Sequence, residues 1–337
     1  MKVECTAIDE NYNNNILNDN IAIVIPAYNA HATIKKLFHS IALFSFLDKV
    51  QVCLIDDNSN QPYDYLYALF PEIKLTILKN KENKGPGYSR NQGIQWVINK
   101  EIPFIMFADA DDYFINFNFW EKTPKQNKEE NTLFLFRFYD EQDDLFCTDV
   151  DVWSFGKVYK TNLIKKYNIY FSNNYSNEDV IFNFIYFNSN TSIYKSDLII
   201  YHWTNTKNSL SRTENYDYNS FSELIDNLIE AFLSHKEQLP KNRIKLMILN
   251  RLVRLYYYLN ELLGTVPTLK NSETEKDKKI WKSLNNYYHK CYKLIEEDVT
   301  QKDILFIFNE INQGNNAFIQ DFIWMDFYSF LNKIKEG

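Results

Sequence analysis

Asp109, Asp111 and Asp112 follow directly on the apolar run Phe104-Ile105-Met106-Phe107. Carboxylates this close repel one another. Holding them at the dry end of a buried strand is costly unless a cation or hydrogen-bond donors compensate. A hard divalent ion, Mg²⁺ or Mn²⁺, takes oxygen ligands and also bridges phosphates. An acidic turn that caps a helix accounts for the same residues equally simply. A second acidic pair, Asp56-Asp57, closes the apolar run at 50–55 and can accept from a base or ribose edge. The segment Asn83-Lys84-Gly85-Pro86-Gly87-Tyr88-Ser89-Arg90-Asn91 opens a helical pattern. Gly85 there permits close backbone approach, and Arg90 offers a fork of donors suited to a diphosphate. A C-cap glycine beside a surface arginine is the plainer account. Ser176-Asn177-Glu178-Asp179 precedes the apolar stretch 180–187, an N-capping box with acids set on the helix dipole. His202, in Tyr201-His202-Trp203, carries an imidazole of the kind that binds Mn²⁺, or is an ordinary packed side chain.

These residues need elements to position them. The run 21–25 ended by Pro26 reads as a strand buried on both faces, and the run 50–55, residues 73–78 and residues 104–107 read as further strands. Between them Ile34, Leu37, Phe38 and Ile41, a short stretch at 63–70, and Ile94, Val97 and Ile98 supply helical faces. Such alternation implies an α/β fold with a mostly parallel sheet flanked by helices. In these sheets ligands bind beyond the carboxyl ends of the strands, which selects the loops at Pro26, Asp56, Asn80 and Asp109. Residues 133–138 form a further strand, and 154–160 with 164–170 read as mixed segments covering the site. Beyond Arg212 the period becomes helical throughout. Phe221, Leu224, Ile225 and Leu228 begin it, and Pro240 opens a second helix running to Gly264. The organisation expected is a flexible extension at 1–20, an α/β domain at 21–215 and a helical domain at 216–337.

Composition narrows the class. The chain has 337 residues, 45% apolar and 24% charged, as a globular protein does. Its net charge of −7 gives no global reason to bind nucleic acid. No two of Cys5, Cys53, Cys147 and Cys291 form a C-x-x-C pair, as fits a reducing cytosol. The polar start lacks the apolar core of a signal peptide, and no run of about 18 apolar residues exists, so a cytoplasmic location is expected. Lys241, Arg243, Lys245, Arg251 and Arg254 interleave with apolar residues in the second C-terminal helix. That face would suit peripheral contact with the inner face of an anionic membrane, or simply solvent, and homo-oligomerisation through the helical domain is a further option.

Taken together, these segments resemble the family 2 glycosyltransferases of GT-A fold over about residues 21–212. The opening Ile-Val-Ile-Pro-Ala-Tyr-Asn is similar to that family's first-strand signature, and Leu54-Ile55-Asp56-Asp57-Asn58-Ser59 to its second-strand acidic motif. Asn83-x-Gly85 through Arg90-Asn91-x-Gly93 is similar to its glycine–arginine segment, with Ser89 where Ala is usual, and Asp109-Ala110-Asp111-Asp112 to its D-x-D-D. Trp153-Ser154-Phe155-Gly156-Lys157-Val158-Tyr159 resembles a W-x-K-x-Y stretch beside the acceptor site, with inserted or shifted residues. Ser209-Leu210-Ser211-Arg212 resembles the S-I-S-R ending.

The resemblance implies roles. Pro26, Ala27 and Tyr28 would line the uracil site, with Asp57 on the base and Asp56 behind it, and Asn29 would belong to the nucleotide-sugar site. Gly85, Arg90, Ala110 and Arg212 would serve the nucleotide-sugar donor, Arg212 by closing over the diphosphate. Asp111 would be the principal ligand of Mn²⁺ or Mg²⁺, Asp109 shared between metal and donor, and His202 a third ligand. At Glu178-Asp179 the aspartate would be the general base of an inverting transfer to a glycan, glycolipid or other hydroxyl acceptor. A sugar nucleotidyltransferase lacks support, since no Gly-rich turn follows the first strand. A non-catalytic nucleotide-sugar binding module would not need Asp109, Asp111 and Asp179 together.

Overall fold

The computed structural model describes residues 18–130, 132–147, 153–172, 178–189 and 192–206, with isolated positions between 230 and 305. The expected helical domain, most of the extension at 1–20, and Arg212 therefore lie outside the described residues. Asp19, within the expected extension, is tied down: its carboxylate accepts from Lys49 and Lys128, both at 3.1 Å.

The chain runs β1 (Ile21–Ala27), α1 (Ile34–Ala42), β2 (Val50–Asp56), α2 (Tyr65–Leu69), β3 (Leu75–Lys79), α3 (Gly85–Asn99), β4 (Phe104–Phe107) and β5 (Tyr113–Phe114). It continues α4 (Phe119–Lys122), α5 (Lys125–Glu129), β6 (Thr132–Asp140), β7 (Leu145–Cys147), β8 (Lys157–Lys160), α6 (Thr161–Tyr167), α7 (Glu178–Asn188) and β9 (Ser192–Trp203). The strands form one sheet in the order β3-β2-β1-β4-β8-β6-β9-β5, with β7 on β6. β1 to β4 are mutually parallel, and the unbroken apolar runs of β1 and β4 suit the buried centre of such a sheet.

Beyond β4 the mostly parallel sheet takes up antiparallel strands. β8 lies antiparallel between β4 and β6, β6 runs parallel to β9, and β5 is antiparallel to β9. The sheet is thus mixed, and residues 157–160 form a central strand rather than a cover over the site. Two lysines obscured this strand in the sequence. Lys157 and Lys160 are both buried, and their ammonium groups reach backbone carbonyls, those of Trp153 and Lys128. A buried lysine is tolerable when its charged end finds acceptors.

Each face of the sheet carries its own core. Ile21, Ile23 and Ile25 of β1 pack with Leu37 and Phe38 of α1, while Ala22 and Val24 face α3, α6 and α7. The fit against α3 is close. A Cβ on Gly93 would collide with Val24 and approach Ile55, and one on Gly87 would collide with the Ser172 carbonyl and crowd Glu178. From the C-terminal region, His235 is buried and its Nε2 lies 2.9 Å from the Tyr167 carbonyl at the end of α6. Because a carbonyl only accepts, Nε2 carries the proton there.

Candidate active site

The parallel strands end on one edge, and the expected residues gather there. Beyond β1, Tyr28 is 52% exposed, while Asn29 is pinned to the loop after β2. Its N–H donates to Ser59 Oγ at 2.9 Å and its Oδ1 accepts from the Asn60 N–H at 2.9 Å. Asn29 takes a positive φ of 51°, which an asparagine tolerates better than most side chains. Ala27 is buried and its carbonyl accepts the Asp57 N–H.

Asp56 and Asp57 are both buried. Asp56 accepts from the Ser59 N–H at 2.7 Å and pairs with Lys79 at 3.2 Å. Asp57 accepts from Asn80 Nδ2 at 2.7 Å, from the Lys84 N–H and from the Gly85 N–H at 2.7 Å. It thereby satisfies backbone donors at the start of α3, where Gly85 takes φ +84°. The carboxylate expected to meet a base is therefore also the peg on which α3 hangs.

Arg90, one turn along α3, is buried with 4% exposure. One guanidinium nitrogen donates to Asp109 Oδ1 at 2.6 Å and another to Glu178 Oε1 at 2.5 Å. Its ring partner is Phe171, 5.3 Å away. Burial works against the charge, but Asp109, Glu178 and Asp179 outweigh it and hold the guanidinium above its ordinary value. The arginine expected to clamp a diphosphate thus joins the acid cluster after β4 to the start of α7, a contact across 88 positions of sequence.

The acid cluster is held by the end of β9, which the sequence reading did not single out for this role. The Tyr201 hydroxyl accepts the Asp109 N–H at 2.8 Å and donates to Asp112 Oδ2 at 2.9 Å. The Thr204 N–H donates to Asp112 Oδ1 at 2.8 Å, and Thr206 Oγ1 to Asp111 Oδ2 at 2.8 Å. Asp112 is buried, and that burial, with Asp109 and Asp111 nearby, pushes its carboxyl well above the ordinary range. It serves the turn rather than an open site. Ala110 is packed into the core between the acids.

At the start of α7, Glu178 is buried against Arg90, while Asp179 is half-buried and accepts no hydrogen bond among the described residues. Burial pushes the Asp179 carboxyl well above the ordinary range and Glu178 adds to the push, whereas Arg90 and Lys157 pull it down. Ser176 and Asn177, the first half of the expected capping box, lie outside the described residues.

His202 does not join the acids. Its ring stacks on Tyr113 at 4.2 Å and tilts against Tyr139 at 4.9 Å, and burial lowers its imidazole below its usual value. Along a strand successive side chains point to opposite faces. Tyr201 reaches the cluster, so its neighbour His202 turns away. Among the described residues no three His, Cys, Asp or Glu side chains stand close enough together to cage a metal ion. The expected set of Asp109, Asp111 and His202 is therefore not assembled. A Mg²⁺-type ion needs less, since one or two carboxylates plus substrate phosphates suffice. Asp109 and Asp111, the two partly exposed acids of that loop, are of the chemical type such an ion takes.

An aromatic wall stands beside the site. Trp153 lies 5.1 Å from Trp203 and 5.5 Å from Phe138, and Phe155 stacks on Tyr201 at 4.8 Å. Lys157 and Tyr201 are the residues that sequence reasoning underused. Both sit inside quoted motifs, but their contacts are made across the fold.

A family model described as glycosyl transferase family 2 matches residues 22–174. An uncharacterized glycosyltransferase of Rickettsia conorii is 33% identical over 100 residues, 29% of this chain and 16% of its own. An Escherichia coli protein named UDP-Glc:alpha-D-GlcNAc-diphosphoundecaprenol beta-1,3-glucosyltransferase WfgD is 28% identical over 96 residues, 28% of this chain and 36% of its own. The matches thus span about a third or less of these relatives' length. Among solved structures, S. aureus TarS 1–349 in complex with UDP-GlcNAc matches with a TM-score of 0.66 at 18% identity, covering 81% of each chain. The same TarS portion with UDP matches at 0.64, covering 88% of this chain and 93% of the other. At such identity the likeness speaks for the fold, which is the GT-A arrangement. No helix among the described residues is long and apolar enough to cross a membrane.

Proposed function

We propose, from the premise that residues 22–174 belong to glycosyl transferase family 2, that this chain moves a sugar from a nucleoside diphosphate donor to a hydroxyl acceptor with inversion. The observation that carries the reading is the Arg90 bridge, which brings Asp109 and the Glu178-Asp179 pair into one site at the sheet edge. Asp179 takes the proton from the acceptor hydroxyl. The freed oxygen bonds to the anomeric carbon as the bond to the diphosphate oxygen on the opposite face breaks, and the nucleoside diphosphate leaves. Arg90 holds Asp109 and Glu178 at fixed separation and places positive charge beside the leaving group. Asp111 and Asp109 would hold a divalent cation, which supplies charge compensation to the departing diphosphate.

The TarS complexes contain UDP or UDP-GlcNAc, and WfgD is named for a UDP-glucose donor and a lipid diphosphate-linked acceptor. These favour a UDP-sugar and a role in bacterial surface polysaccharide or glycolipid assembly. Incubation with UDP-, GDP- and CMP-sugars and Mn²⁺ tests the reading. Nucleoside diphosphate should be released from one donor class and an inverted product formed. Pyrophosphate release would indicate nucleotidyl transfer instead, and a retained anomer would exclude single displacement. Asp179→Asn should lower transfer by about 10²-fold or more with donor affinity held.

A further inference from the structure

We propose that Lys157 is a positioning residue for the proton transfer: from the centre of the sheet it presents its ammonium to the face of α7 that carries Asp179. With Arg90 it forms a pair of cations bracketing Glu178-Asp179. The inference rests on Asp179 being the general base.

The geometry turns on one carbonyl. Lys157 is 1% exposed, and its Nζ donates to the Trp153 carbonyl. Asn183 Nδ2 donates to the same oxygen at 3.2 Å, and Asn183 Oδ1 is fixed by the Tyr159 hydroxyl at 2.7 Å. Asn183 stands four positions after Asp179, so the two share a helix face one turn apart. The carbonyl that holds the lysine therefore also holds the face of the helix from which the base projects. A methionine or leucine would fill a central strand position without the cost of burying an ammonium. Besides burial, the charges that act on the Asp179 carboxyl are Glu178 on α7 and Asp109 in the loop after β4, which raise it, and Arg90 on α3 and Lys157 on β8, which lower it. Two anions are thus set against two cations. Removing Lys157 leaves the anions in the majority.

The test is the pH profile of kcat/KM for Lys157→Met, with Asp179→Asn as the companion. Loss of transfer in Asp179→Asn secures the base, and survival of transfer there sinks that reading whatever Lys157 does. With the base secured, Lys157→Met should move the acid limb upward by about one pH unit, because an opposite charge nearby favours the ionised carboxylate. Lys157→Arg should hold the limb near its original place. A uniform loss at every pH, with the limb unmoved, would assign Lys157 to holding the Trp153 turn alone and overturn the proposal. Should the methionine variant fail to fold, ¹⁵N NMR of the Lys157 ammonium in the intact protein decides. A titration step at the midpoint of the kinetic limb supports the inference, and a flat response overturns it.

Discussion

At the scale of single residues, the site is built on side chains that each serve two segments. The Tyr201 hydroxyl satisfies the Asp109 N–H and Asp112 together. Tyr201→Phe keeps the stack on Phe155 but leaves the part-buried Asp109 N–H and a buried oxygen of Asp112 without this partner. A loss of about 1–3 kcal/mol is expected, read as a lower urea midpoint, together with a raised donor KM. Asp179 carries a different signature. Its folded-state carboxyl lies above the unfolded value, chiefly through burial. Stability from such a group is fully present below the ordinary carboxylate value and is lost as pH rises through the raised one. Asp179→Asn should accordingly melt higher than the parent at pH 8, and the advantage should vanish near pH 4. An advantage that persists at pH 4 would show another cause. At this scale the acids and Arg90 were legible from their spacing, whereas their pairing was not. The bridge from Arg90 to Glu178 depends on the fold bringing α3 against α7.

At the scale of elements, α3 is the part on which the site is registered. Asp57 pegs its first turn, Arg90 projects from its second, and two glycines let it lie close to its neighbours. The two glycines make separable predictions. Gly93→Ala presses on Val24 and Ile55 in the core, and overpacking of that kind costs about 1–3 kcal/mol, visible in denaturant unfolding. Gly87→Ala presses on the Ser172 carbonyl and Glu178, so it should separate α3 from α7. Its loss of transfer should exceed what its loss of stability accounts for. Equal effects of the two variants on turnover would refute this division. β1 and β4 were readable because parallel strands buried on both faces are unbroken apolar runs, and β2 and β3 because their runs are still mainly apolar. β8 was not, because Lys-Val-Tyr-Lys has the pattern of a surface segment, and only the carbonyls of Trp153 and Lys128 make it a core strand. Of β9 only the apolar run 198–200 reads as a strand from sequence, since the more exposed stretch before it lacks that signal.

At the scale of the whole molecule, one residue far along the chain is tied back to the end of α6. His235 donates to the Tyr167 carbonyl at the end of α6. His235→Ala should cost about 0.5–1.5 kcal/mol of stability, read as a lower urea midpoint. An unchanged midpoint would show that the C-terminal region rides on the domain without supporting it. The sheet order has a consequence for how the protein is made. β4, Phe-Ile-Met-Phe, leaves the ribosome with β1 ready on one side, but its other neighbour, β8, arrives only after roughly fifty further residues, seconds later at the usual pace of synthesis. During that interval the nascent chain displays an apolar strand with a bare edge, the kind of surface that recruits other chains. The protein's yield in a cell is therefore set in part by whatever shields that edge between the synthesis of Phe107 and that of Lys160.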